Sequence, residues 1–171
     1  MLENLEDLPK EKLIDIIHMF ASDLITLDGL WFIGVEEKYG LEEAIRIDTE
    51  AWRRYGSIGA RRIKKTLGIT GDDTEALTKA LNYQAWLCAL GFEFKVAELT
   101  ENKVIFNVTD CRPQRARIKN NMGEFNCKPV GIAYFEEFAK AINPKFKMKC
   151  LICPPDTHTN DLWCSWEFSL E

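Results

Sequence analysis

The 171 residues carry a formal net charge of −5, and 46% of them are hydrophobic. This length predicts one domain, residues 1–171, with a core large enough to fold without disulfide bonds. The acidic pI of about 5.2 argues against a general nucleic-acid-binding protein, whose surface is basic. No continuous apolar run has the length of a membrane span, and the acidic start differs from a secretory signal. We therefore expect a cytoplasmic protein without nucleic-acid or membrane partners, in which cysteines bind metal or do redox work.

Residues 1–90 have apolar side chains at helical spacing and are predicted to form the helical half of the domain. Asp7 is placed to cap a first helix that runs to Gly40, and its apolar stripe, which includes Phe20 and Leu24, is predicted to face the core. A second helix is predicted from Leu41 to Leu67. A third, capped by residues 72–74, is predicted to run to about Ala89.

After Gly91 the hydrophobic period changes from 3.6 to 2, which predicts strands in residues 91–171. Residues 92–96 and 104–108 predict one antiparallel hairpin, and residues 145–168 contain a second. A short helix is predicted at 112–119 and a longer one at 129–142, before Asn143 and Pro144. The expected fold class is α+β, with N-terminal helices packed on an antiparallel sheet of about four strands and one main helix between the two hairpins.

The second hairpin contains three of the six cysteines. Cys150 and Cys153 form a CxxC, and Cys164 follows on the next predicted strand, so the hairpin brings all three to one end. A tetrahedral zinc site needs a fourth ligand, for which Cys127 is our first choice and His158 and Cys111 are alternatives. Iron also accepts four thiolates, so spacing does not decide the metal. The competing interpretation is that Cys150 and Cys164 are small buried residues of two strands.

Cys111 lies at the end of a predicted strand and the start of a helix, with Arg112, Arg115 and Arg117 close behind. The helix dipole and the guanidinium groups would stabilise a thiolate, which makes Cys111 a candidate nucleophile. Arg112 and Arg115 are also candidates to bind an anionic ligand. A solvated basic face is the competing interpretation.

Asp28 and Glu36 lie eight residues apart on the first predicted helix, close to one face and beside Trp31. Carboxylates among apolar side chains acquire raised pKa values and can act as general acid or base. The alternative is that they face water or pair with an arginine. Trp31 is a candidate lining residue of a ligand pocket.

The order strand, CRPQRAR, NCKPVG, amphipathic helix, CLICPPDTH and LWCSWEF resembles uncharacterised cytosolic proteins related to L-2-amino-thiazoline-4-carboxylic acid hydrolase. The resemblance covers most of the chain, including DGLWF at 28–32 and the following VEEKYG. Residues 91–171 more distantly resemble the 4-vinyl-reductase-type ligand-binding domain of phenol-sensing regulators. In those sensors zinc is held by an early Cys, a Glu and two later Cys, positions that correspond here to Cys127, Cys150, Cys153 and Cys164. Glu has thus become Cys, and the turn before the last ligand is longer.

The resemblance implies a homodimer formed through the N-terminal helices, with an apolar pocket between helices and sheet. Two functions follow as expectations. The first is a small-molecule-binding domain in which structural zinc braces the C-terminal hairpin beside that pocket. The second is a hydrolase of a small cyclic amide or amidine, using a metal-bound water or Cys111, with Asp28 or Glu36 moving protons. Four thiolates favour the first, because they leave no open position on the metal.

Overall fold

In the computed structural model, which describes residues 4–171, the first half of the chain forms three helices. They are α1 (Lys10–Tyr39), α2 (Leu41–Leu67) and α3 (Thr74–Leu81). Gly40 separates α1 from α2 with a φ of 89°, a backbone conformation that favours glycine. The side chain of Asp73 caps α3 by accepting a 2.8 Å hydrogen bond from the backbone N–H of Ala76.

Two predicted helix boundaries are wrong. Asp7 makes no capping hydrogen bond and belongs to a short 3-10 turn, Leu5–Asp7, while α1 begins only after Pro9. The third helix stops at Leu81 instead of continuing to Ala89, and residues Ala85–Cys88 form a separate 3-10 turn. The buried side chain of Gln84 donates a 2.8 Å hydrogen bond to the carbonyl of Leu81, which satisfies the helix end and fixes the break.

The second half contains four strands and two helices. The strands are β1 (Glu93–Leu99), β2 (Lys103–Asp110), β3 (Phe146–Ile152) and β4 (Cys164–Leu170), and the helices α4 (Arg112–Lys119) and α5 (Lys128–Ile142) lie between β2 and β3 in the chain. The sheet has the order β1-β2-β4-β3, and every neighbouring pair is antiparallel. The predicted α+β fold is confirmed.

Helix α5 packs between α2 and the sheet, and two glycines permit its close contacts. A Cβ on Gly56 of α2 would lie 2.5 Å from the carbonyl oxygen of Tyr134 in α5. A Cβ on Gly131 of α5 would lie 2.5 Å from the indole ring of Trp166 in β4. This packing sets the first turn of α5 directly against the sheet.

The long helix α1 has an exposed apolar side. Only Ala21 and Ile25 are buried on it, whereas Phe20 is 61% exposed and Trp31 is 72% exposed. The predicted core-facing stripe is therefore wrong for most of its members. By length and composition alone α1 could cross a membrane, a test that helices of soluble proteins also pass.

Candidate functional site

Four cysteines from three separate parts of the chain converge on one thiol. Cys153, just after β3, is 1% exposed, and the thiols of Cys127, Cys150 and Cys164 lie close enough to it to shift its pKa. The Sγ atoms of Cys127 and Cys153 are 3.5 Å apart. Cys127 precedes the first residue of α5, Cys150 lies in β3 and Cys164 begins β4. The structure thus brings together the four cysteines that we expected to be metal ligands.

Contacts among these thiols give them different pKa values. The neighbouring sulfurs of Cys127, Cys150 and Cys164 together raise the pKa of Cys153 far above that of an ordinary thiol, so Cys153 keeps its proton. The bond from Cys153 lowers the pKa of Cys127 and likewise that of Cys150. The cluster therefore holds at least one proton that a bound cation would have to displace.

Polar contacts fix the backbone on both sides of the cluster. The fully buried side chain of Gln114 in α4 donates a 3.4 Å hydrogen bond to the Cys127 sulfur and a 2.9 Å bond to the Phe125 carbonyl. Lys128 forms a 2.7 Å ion pair with Asp156, whose carboxylate also accepts from the backbone N–H of Cys153. The start of α5 is thereby tied to the turn that follows β3.

His158, the alternative fourth ligand, has both ring nitrogens in other contacts. Its Nε2 lies 3.2 Å from a carboxylate oxygen of Glu124, and its Nδ1 lies 3.0 Å from the Thr159 carbonyl. The ring also packs on Trp163 with centroids 4.7 Å apart. These contacts hold the loop after Cys153 and leave Cys127 as the fourth member of the thiol cluster.

The donor chemistry of the cluster suits zinc or iron, since both accept four sulfur ligands in a tetrahedron. The thiols converge on the Cys153 sulfur, and no group of three or more His, Cys, Asp or Glu side chains in residues 4–171 already has the geometry of a metal site. Metal binding therefore requires loss of the Cys153 proton and a rearrangement of the side chains around a common point.

A cavity of about 500 Å³ adjoins the cluster. Cys127, Cys153 and Cys164 line one part of it, and helices α1, α2, α4 and α5 form most of the remaining wall. Eight aromatic residues contribute to this wall; they are Phe32, Trp52, Trp86, Phe92, Phe125, Tyr134, Phe135 and Trp166. A space of this size and composition is typical of a site for a small organic molecule.

Asp28 of α1 lines the cavity together with Asp48 of α2. Burial raises the pKa of Asp28 to about 6, although a hydrogen bond with Trp52 opposes the rise. Burial and the charge of Asp28 raise the pKa of Asp48 to about 7, again against a hydrogen bond with Trp52. The two carboxyl groups and the indole form one polar cluster in an apolar wall.

Glu36, the other predicted acid–base residue, lies in a different environment. It accepts hydrogen bonds of 2.6 and 3.0 Å from the guanidinium of Arg117, and these bonds lower its pKa. The expectation of a raised pKa is wrong for Glu36 because an arginine, rather than apolar side chains, faces it. This ion pair links α1 to α4 at the cavity wall.

The remaining arginines near Cys111 are also in contact with protein groups. Arg115 forms a 2.6 Å ion pair with Asp110. Arg112 donates to the Thr26 hydroxyl at 3.1 Å and to the Leu90 carbonyl at 3.4 Å, both neutral acceptors. Arg112 lines the cavity, so of the two predicted anion-binding residues it is the one placed to meet a ligand there.

Cys111 and Trp31 are placed differently from what the sequence predicted. Cys111 lines the cavity, but burial raises its pKa well above that of an ordinary thiol, against the expected effect of the helix and the arginines. Trp31 lines a smaller, outer cleft of about 320 Å³ between α1 and α2 rather than the main cavity. The raised pKa argues against a reactive thiolate at Cys111, whereas Trp31 lines a cleft that it shares with Asp28 and Asp48.

Sequence reasoning missed Asp48 and Gln114. A signal for Asp48 was present, because Ala44, Asp48, Trp52 and Tyr55 recur at spacings of four, four and three along α2, which places the carboxylate on the apolar side of the helix. Gln114 has no such signal, since its burial depends on how α4 packs against the loop before Cys127.

A comparison with curated proteins gives no match. The model of one protein family matches residues 6–170 and carries the description "Family of unknown function (DUF6125)". The match covers nearly the whole chain, so the protein belongs to this family of unknown function.

Proposed function

We propose that the protein is a cytoplasmic small-molecule-binding domain in which a structural zinc ion, held by Cys127, Cys150, Cys153 and Cys164, braces the C-terminal hairpin beside the ligand cavity. One observation carries the proposal: the sulfurs of Cys127 and Cys153 lie 3.5 Å apart, with Cys150 and Cys164 close enough to shift the pKa of Cys153, and three of the four residues also line the cavity. Iron would satisfy the same donor set.

The expected role of the metal follows from where its ligands lie. Cys127 stands at the start of α5, whereas the other three belong to the ends of β3 and β4. A shared ion would therefore cross-link the helix to the hairpin and fix the cavity wall. With four thiolates no coordination position remains for water, so a structural role is favoured over a catalytic one.

Hydrolysis of a small cyclic amide or amidine is the second candidate function, and Asp28 favours it. A carboxyl group with a pKa of about 6 beside an organic-ligand cavity is suited to proton transfer near neutral pH. The raised pKa of Cys111 argues against that thiol as the nucleophile. We therefore rank binding above hydrolysis.

We further propose that the exposed apolar side of α1 packs against α1 of a second copy. Phe20, Leu27 and Leu30 are 58–64% exposed on this helix. Monomeric soluble proteins rarely leave a large contiguous apolar patch open to water. An isologous contact between two copies of α1 would cover both patches at once.

The test of the metal is elemental analysis of protein purified without chelator, beside the triple variant Cys150→Ser, Cys153→Ser, Cys164→Ser. Cys88→Ser is the matched control, because Cys88 lies in the 3-10 turn and is not a member of the cluster. We expect about one zinc per chain in the parent and control and none in the triple variant. Loss of folding with the metal would mark it as structural, since such sites contribute about 10 kcal/mol or more. A folded, metal-free parent would refute the zinc proposal.

The test of the cavity is calorimetric titration with a neutral aromatic probe, 2-(1-naphthyl)ethanol. We expect saturable binding by the parent, because the aromatic wall can enclose a bicyclic ring. The variant Gly29→Trp serves as the blocked comparison, because Gly29 lines the cavity and a Cβ added there meets nothing within 4 Å, so the new ring has room to occupy the cavity. Equal binding by the two proteins would place the probe outside the cavity and refute the assignment.

A further inference from the structure

We propose that the cavity takes an organic cation, a protonated amine or amidine on an aromatic body, whose charge is neutralised by Asp28 and Asp48. The inference rests on the proposed binding function and names the chemical class of its ligand. The paired carboxyl groups, rather than the cysteine cluster, would provide the specificity.

The first support is where the carboxyl groups lie. Asp28 and Asp48 stand on α1 and α2, and both line the main cavity as well as the outer cleft. The other residues that line the outer cleft are all apolar. Once ionised, the pair places two negative charges in a wall that offers little solvation.

The second support is that the protein supplies no counter-ion to the pair. Within residues 4–171, neither carboxylate belongs to an ion pair, and the strongest electrostatic neighbour of Asp48 is Asp28 itself. The cavity wall contains two cationic side chains, Arg112 and Arg117. Arg117 is paired with Glu36, and Arg112 bonds to Thr26 and Leu90. A cation to balance the ionised pair is therefore one that a ligand can supply.

The third support comes from another part of the same wall. Trp166 is 1% exposed and lines the cavity, and its indole N–H is buried without a hydrogen-bond acceptor. Buried donors in native proteins almost always have partners, so this group points to an acceptor supplied by a ligand. The ligand would thus combine a basic group for the carboxylates with a hydrogen-bond acceptor elsewhere on its body.

The surroundings favour an organic cation over a metal ion. Calcium needs six to eight oxygen ligands and magnesium an octahedron of them, whereas the wall beside the pair is mainly apolar and aromatic. Phe32 and Trp52 offer ring faces, which attract ammonium and amidinium groups through their quadrupoles. Apolar area for the body of the ligand and acidic oxygens for its head are present in one space.

The test is a calorimetric comparison of two probes of the same shape at pH 8, 2-(1-naphthyl)ethylamine and 2-(1-naphthyl)ethanol, with full-length protein. We expect the amine to bind the parent about tenfold or more tightly than the alcohol, because two carboxylates in an apolar wall stabilise a cation strongly. In the double variant Asp28→Asn, Asp48→Asn the preference should fall to about onefold, while binding of the alcohol is kept. Asp23→Asn, which removes an exposed carboxylate of α1, should leave the preference unchanged.

The outcomes separate the two levels of inference. Equal affinity for the two probes in the parent would preserve the cavity as a binding site and overturn the assignment of a cationic ligand. A preference for the amine that persists in the double variant would also overturn it, because the charge selectivity would then arise elsewhere. Failure of both probes to bind would refute the proposed binding function itself. Since Asn conserves the size of Asp, retained binding of the alcohol by the double variant also reports that the cavity is intact.

Discussion

The substitution Asp48→Asn should stabilise the protein at alkaline pH. A carboxyl group whose pKa is higher in the folded chain than in the unfolded chain holds its proton more tightly when folded. Its contribution to stability is therefore fully present below the unfolded pKa, near 3.8, and is lost as the pH rises through about 7. Asparagine cannot ionise and removes this loss.

The size of the effect follows from the same pKa values. A rise from 3.8 to about 7 corresponds to about 4 kcal/mol in total, of which about 3 kcal/mol is lost between pH 5 and pH 8. Because Asp48 and Asp28 influence each other, the measured change belongs partly to the pair, and we expect 2–3 kcal/mol, to order of magnitude, in the variant comparison.

The assay is urea unfolding followed by circular dichroism at pH 5 and pH 8, for the parent, Asp48→Asn and the control Asp23→Asn. The free energy of unfolding of the parent should fall more steeply over this interval than that of Asp48→Asn, and the control should follow the parent. Protonation of the thiol cluster is common to all three proteins and cancels in the comparison. Parallel behaviour of the parent and Asp48→Asn would show that the carboxyl group is not desolvated, and would refute this part of the reasoning.

Three further predictions concern packing, charge and assembly. Gly131→Ala should lower the free energy of unfolding by roughly 1–3 kcal/mol, because its methyl group would overlap the indole ring of Trp166 in β4. Gly34→Ala, which has open space around it, should raise the free energy of unfolding slightly. Chemical denaturation measures both changes. Arg117→Met should destabilise the protein by about 3 kcal/mol, because it leaves the half-buried Glu36 carboxylate unpaired. The equivalent Arg46→Met removes an exposed ion pair with Glu43 and should produce no measurable change in stability. Phe20→Glu should convert a dimer to a monomer in light scattering, and a parent that is already monomeric would refute the proposed contact through α1.

The strands were predictable because each has one face in the core and its sequence alternates accordingly. Val104, Phe106 and Val108 of β2 are all at most 2% exposed, as their spacing of two predicts. Helix α5 was predictable for a similar reason, since Pro129 lies in its first turn and Asn143 ends it. The break after α3 was not predictable, because it depends on a hydrogen bond made by the buried side chain of Gln84.

The candidate site also has a part that the sequence predicts and a part that it does not. The CxxC and the hairpin around it predict that Cys150, Cys153 and Cys164 meet, since strand pairing fixes their separation. Whether a thiol or a carboxylate has a raised or lowered pKa depends on which helices pack around it, and sequence spacing does not contain that information. Glu36 and Asp28 illustrate this: both lie on α1, but one faces an arginine from α4 and the other faces Asp48.

Cys127, Cys153 and Cys164 belong to the thiol cluster and to the cavity wall at the same time. If the proposed metal and ligand both bind, these shared residues give each a route to change the free energy of binding of the other, and thermodynamic linkage requires the two changes to be equal. A metal that strengthened ligand binding about tenfold would itself be held about tenfold more tightly when ligand is present. In a cell, the supply of the ion would then set the ligand concentration to which the protein responds.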